Sequence, residues 1–223
     1  MSSHSVIGPA CLAAKGTLMR LTIALTAAVC LALPASAAAA GTLDQQQTTV
    51  TNGGFIFGPQ LQAPDIPFSD AQTFTAGLTG GLDRVDLFLR QFRSNNSVGL
   101  TVQIRTVSGG VPGAVVLASA TIAPGAIPAL GAPFAFVPVT LSPPAAVVAG
   151  KQYAIVAYTG GADRYEWGYV GTNPYAGGEF FQTDTSPPTT TWSGISAADF
   201  AFKTYVVTDQ GDQNDQGDDN SQE

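Results

Sequence analysis

The chain is poor in charge: Asp, Glu, Lys and Arg make up 11% of its 223 residues, against roughly 25% in an ordinary soluble domain. Basic residues are scarcest, with nine Lys and Arg in all and a formal net charge of −7. Nucleic-acid recognition relies on clustered cations along phosphate backbones, so this balance argues against nucleic acid as a partner. Phosphate-loop and dinucleotide fingerprints are absent as well. Histidine occurs once and cysteine twice, as His4, Cys11 and Cys30. All three lie in the first thirty positions.

Those first positions read as a discarded leader. From Met19 and Arg20 an apolar run extends from Leu21 to Leu33, followed by Pro34 and Ala35-Ser36-Ala37. A basic start, a short apolar stretch and small residues at the end are the pattern of a secretory signal peptide. The expectation is a start at Met19, with residues 1–40 removed after Ala37 or Ala40. The run is shorter than the roughly 20 residues of a spanning helix. Cys30 follows Ala-Ala-Val, which argues against a lipoprotein site. Beyond Gly41 there is then no histidine and no cysteine. Disulfides, Cys-ligated metals, Ser-His-Asp triads and Cys-His pairs are excluded there.

Lys15 and Arg20 leave with the leader. Of the sixteen acids, six fall in the last fifteen residues: Asp209, Asp212, Asp215, Asp218, Asp219 and Glu223. That tail, 209–223, has no apolar residue and is expected to be disordered. Its acid spacing fits neither an EF-hand loop nor the Gly-rich nonapeptide repeat.

What remains is a succession of short alternating stretches. Val85, Leu87 and Leu89 point one way, while Asp86, Phe88 and Arg90 point the other. Leu100, Val102 and Ile104 repeat the pattern. Further candidate strands cover 72–76, 115–122, 134–141, 152–159, 164–170, 179–182 and 200–207. Gly-, Pro- and Asn-rich breaks separate them: 94–97, 108–113, Pro143-Pro144, Gly160-Gly161 and Pro187-Pro188. Period-2 alternation with frequent turn signals means half-buried antiparallel strands. The fold class expected is all-β, an antiparallel two-sheet sandwich, jelly-roll-like; a closed barrel is the alternative. Residues 41–69 form an N-terminal strand and loop region continuous with a body over 70–208.

The ordered set of segments resembles a secreted bacterial β-sandwich domain of the "choice-of-anchor" type. It comprises Ala71–Gly77, Leu82–Leu89, Ser108–Gly113, Val116–Ala120, Ala149–Val156, Trp167–Tyr169, Asn173–Gly178 and Asp199–Val206. The resemblance covers about 70–207. It implies an extracellular jelly-roll-like module and carries no established catalytic residues. The chain departs from anchored forms in showing no C-terminal anchor.

Aromatics concentrate late in the body: Tyr165, Trp167, Tyr169, Tyr175, Phe180, Phe181 and Trp192. Aromatic faces stack on the apolar faces of sugar rings, and neighbouring polar groups bind the hydroxyls. Asp163, Arg164, Glu166, Asn173, Glu179 and Gln182 accompany them. The functional reading is a glycan-binding surface built from Tyr165, Trp167, Tyr169, Tyr175, Trp192, Glu166, Asn173 and Glu179. The alternative is that these aromatics form the sandwich core.

A carboxylate-based glycoside hydrolase needs only two acids across a cleft; Asp163, Glu166, Glu179 and Asp184 are the candidates, with no spacing that selects a pair. Asp65, Asp70, Asp83 and Asp199 are candidates for a structural calcium, or are ordinary strand-end and turn carboxylates. Asn95-Asn96-Ser97 fits a glycosylation sequon. The expectation is a secreted, extracellular, non-enzymatic module with no cofactor. Its partner is a polysaccharide or another surface ligand, with no nucleic acid and no membrane span after signal cleavage. A structural or adhesive protein without a small ligand is the alternative.

Overall fold

The computed structural model describes residues 40–59 and 66–208. The expected signal segment up to residue 39, Asp65 and the acidic tail lie outside the described residues.

Among the described residues thirteen strands follow one another with a single short 3₁₀ turn, Pro124–Ala126. They are β1 Thr42–Gln47, β2 Gly54–Pro59, β3 Pro67–Thr75, β4 Gly80–Gln91, β5 Leu100–Ser108, β6 Val111–Ile122 and β7 Ala135–Val147. Then come β8 Gln152–Thr159, β9 Tyr165–Val170, β10 Phe180–Thr183, β11 Ser193–Ile195, β12 Asp199–Phe200 and β13 Phe202–Val207. The expected all-β class holds. The hydrogen-bonded path runs β1-β13-β4-β9-β2-β3-β8-β5-β6, with β7 on β4, β12 on β9, β10 on β3 and β11 on β10.

This path folds into two layers at β2. Gly54 to Phe57 pair with β9, whereas Gly58 and Pro59 pair with Phe68 and Pro67 of β3. Gly58 has φ +96°, and a Cβ there would run into the Asp163 carbonyl, so only glycine fits the crossing. One layer holds β1, β13, β4, β7, β9, β12 and most of β2. The other holds β6, β5, β8, β3, β10 and β11.

Between the layers lies the core. Val85, Leu87 and Leu89 from β4 meet Leu100, Val102 and Ile104 from β5 and Ile155 and Ala157 from β8; all eight are fully buried. The alternation in β4 and β5 is thus the inside-outside alternation of a sandwich. Gly109 and Gly110, with φ of +62° and +81°, make the two-residue hairpin between β5 and β6 that the Gly-Gly pair predicts.

Pro143 and Pro144, expected to mark a break, lie inside β7. Their strand bonds only to β4. The register jumps from Arg84↔Thr140 to Leu82↔Ala145. The prolines therefore sit in a bulge on an edge, where their missing N–H groups disturb no ladder.

A second apolar cluster covers the outer face of the β8 layer: Ala71, Ala154, Val156 and Phe181, with Tyr158 and Trp192 packed against it. Arg105 ties the 184–192 loop over this face. Its Nε and Nη2 donate to Gln103 Oε1 at 2.8 and 2.6 Å, and its Nη1 donates to the carbonyls of Pro188 and Thr189 at 3.3 and 3.2 Å.

Candidate functional site

The expected aromatic cluster spreads over three faces of the sandwich. Tyr165 and Trp167 share one side of β9, as their spacing requires, and that side is the core: both are fully buried. Trp167 stacks on Phe200 with centroids 4.3 Å apart, and its Nε1 donates to the Ala201 carbonyl at 2.9 Å. Burial pushes the Tyr165 phenol well up, reinforced by the Asp163 carboxylate it faces. Neither ring has a face left for a ligand. Glu166, between them in sequence, faces the opposite side, where Arg90 Nη2 holds it at 2.6 Å. Trp192 sits on the far face of the other layer.

Tyr169 is half-buried against Phe55, edge to face at 5.5 Å. Tyr175 is also half-buried; its hydroxyl donates to Gln45 Oε1 at 3.0 Å, and burial pushes its phenol up to about 12. Asn173 is exposed, and turned with its amide nitrogen inward it donates to Asp199 Oδ2 at 3.1 Å. Glu179 is fixed through its backbone, its N–H donating to Thr73 Oγ1 at 2.8 Å.

The candidate acids are mostly engaged. Asp163 accepts the backbone N–H groups of Ser97, Val98 and Gly99 and so pins the β4–β5 loop. Asn95, the sequon residue, is exposed in that loop. Of the calcium candidates, Asp83 accepts from Gly41 N–H, Asp199 from Gln72 and Tyr175 N–H, and Asp70 from Gln182. Among the described residues no three His, Cys, Asp or Glu side chains converge as a metal set.

A concave site does form where β2 leaves β3. Gly54, Phe55, Ile56, Phe68 and Gln182 line a cavity of about 380 Å³. Across Phe68 and Gln182 it adjoins a second cavity of about 280 Å³, reaching Thr183, Asp184, Thr191, Ser193 and Ile195. The two make one groove with aromatic and aliphatic walls and a polar end. Phe55 is held there by the buried aromatics beneath it, packing edge to face on Phe180 at 5.0 Å.

Gln182 is the polar group common to both cavities. Its Nε2 donates to Asp70 Oδ1 at 3.0 Å, which leaves its carbonyl oxygen as the atom able to accept from a ligand. Asp70 is fully buried behind it, its Oδ2 has no hydrogen-bond partner, and burial holds its carboxyl well above the usual carboxylate range. Asp70 thus fixes Gln182 from behind rather than standing on the groove wall.

The sequence reading reached Gln182 and Asp184 but missed the aromatic walls. Phe55 and Phe68 fall in the 41–69 region, whose only signal was Gly54-Phe55-Ile56-Phe57-Gly58, an apolar run bounded by glycines. The outer face of the β4 layer also carries aromatics and cations, but these satisfy one another. Arg84 lies 3.9 Å from the Tyr205 ring and pairs with Asp86, and Arg90 lies 4.4 Å from Phe134 and pairs with Glu166.

No model of a protein family matches the chain, and no curated protein is detectably similar to it.

Proposed function

We propose that the chain is a secreted, non-enzymatic β-sandwich module that binds a neutral extracellular glycan in the groove between β2 and β10–β11. The observation that carries this reading is the composition of the groove. Phe55 and Phe68 offer apolar surface for the C–H face of a sugar ring, while Gln182, Asp184, Thr191 and Ser193 supply acceptors and hydroxyls at one end. Ligand sites of this kind combine mostly apolar walls with a few convergent polar groups. Secretion is proposed on the Leu21–Leu33 run and the small residues after it.

Titration calorimetry of the purified chain against a panel of neutral polysaccharides tests the reading. One or more should bind, and Phe68→Ala should weaken that binding about tenfold, the loss of an aromatic anchor. Tyr205→Ala, on the outer face of the β4 layer, should leave it unchanged. A panel with no binder, or a Phe68→Ala protein that binds as well as the original, would overturn it.

A further inference from the structure

The alternation that buries Leu89, Leu87 and Val85 of β4 would bury Asp83 next, yet the core takes Leu82 instead. Asp83 is skipped by both neighbours of the strand. Against β13 the register passes from Arg84↔Tyr205 to Leu82↔Val206, and against β7 from Arg84↔Thr140 to Leu82↔Ala145. Such a bulge re-aims a side chain. Here the carboxylate meets Gly41, the residue before β1, whose N–H donates to Oδ2 at 3.2 Å. Oδ1 is buried and has no hydrogen-bond partner. A Cβ on residue 41 would run into Oδ1 and come within 3.0 Å of the Tyr205–Val206 backbone, which leaves no room for a side chain. Among the described residues no Lys or Arg pairs with Asp83. The charges of the surrounding strands are engaged elsewhere: Arg84 with Asp86, Lys203 over the Phe136 ring, and Asp44 with Gly77 N–H. The β7 strand has no ionisable side chain.

Granted the secretion proposed above, on which this rests, we propose that Ala40–Gly41 is the processing bond and that the ammonium freed on Gly41 pairs with Asp83. Small residues stand at the first and third positions before Gly41, Ala40 and Ala38, and Ala40 is exposed. A leader-removing endopeptidase adds water across the bond. The C–N bond breaks, the hydroxyl goes to the Ala40 carbonyl carbon, and the proton of the new acid ends on the Gly41 amine as –NH3+. A backbone amide offers Asp83 one donor and no charge. An ammonium offers three donors and a positive charge, enough for both carboxylate oxygens, and charge-assisted bonds are the stronger kind. Cleavage after Ala37 would keep residue 41 an amide and leave Oδ1 unpartnered. The pair ties the start of β1 to the β4 bulge, so removal of the leader itself completes the fold at this corner.

Export of the full chain from a secreting bacterial host, followed by N-terminal sequencing and NMR titration of the terminal amine, tests this. The product should begin at Gly41. Its amine should titrate about one unit or more above the roughly 7.7–8.0 of an unpaired α-amine, and Asp83→Asn should return it to that range. Asp44→Asn, which removes a charge from β1 but not from the pair, should leave the raised value in place. A product beginning at Ala38 would overturn the inference and leave secretion standing, whereas a retained leader would overturn both. An amine in the ordinary range, or a raised value that survives Asp83→Asn, would overturn the pairing.

Discussion

Asp70 shows what one carboxyl does when it is removed from water. Burial raises its pKa well above the usual range, and its one hydrogen bond, from Gln182, only partly offsets this. Between the unfolded and folded pKa values, the folded chain holds a proton that the unfolded chain releases. The contribution of the site to stability is therefore full below the ordinary Asp range and declines as pH rises through the folded value. Asp70→Asn keeps an oxygen for Gln182 and cannot ionise. Its stability relative to the unsubstituted protein should increase as pH rises above the ordinary Asp range and level off once the folded carboxyl ionises, read from urea unfolding at each pH. A constant offset would show that folding leaves the Asp70 pKa where it is in the unfolded chain. Residue-scale chemistry of this kind was only partly legible in the sequence. The alternation of Tyr165, Trp167 and Tyr169 established a common face for the rings. It did not say which face, because β9 has Glu166 and Gly168 between the rings, and a half-buried Arg90–Glu166 pair on the outer side looks the same in sequence as a solvated one.

At the scale of elements, β2 decides the most with the least signal. Its six residues divide between two layers, and the crossing falls on Gly58. Gly58→Ala would require a positive φ of an L-residue, a cost of about 1–2 kcal/mol, and would press a methyl against the Asp163 carbonyl. The expected outcome is a lower urea midpoint together with weaker ligand binding in the groove, since Phe55 and Phe68 lie on either side of the crossing. Loss of stability with unchanged binding would separate the crossing from the groove. Strands with an apolar alternation, β4 and β5, and the continuous apolar run of β8 were readable to within a few residues. The β1 strand, Thr-Leu-Asp-Gln-Gln-Gln, has no such period; backbone pairing with β13 and the bond from Gln45 N–H to Thr204 Oγ1 at 2.9 Å hold it. The prolines of β7 read as a break because proline rules speak of interior strands, and an edge with a bulge is the exception.

For the whole molecule, stability has to come from the core between the layers. The described residues contain no cysteine. Unfolding midpoints with and without reductant should coincide, and a shift on adding dithiothreitol would mean a covalent link that this fold does not use. The strand order was not legible, for a physical reason. The β4 pairing of Leu87 with Phe202 and the β1 pairing of Thr42 with Val206 join segments at opposite ends of the body. Local periodicity specifies which face of a strand is apolar, and distant partners are chosen by how those faces close over one another. Composition spoke more plainly at this scale: the charge-poor, Gly- and Pro-rich body is what a sandwich with many turns requires.

The crossing at β2 also has a mechanical meaning. Among the described residues the two layers are stitched by backbone bonds at Gly58↔Phe68 and Pro59↔Pro67, so that line acts as the spine of a book whose pages are the sheets. Displacement grows with distance from a spine and is least beside it. The groove lies against the spine, so its walls belong to the part of the fold that a bending of one layer on the other disturbs least.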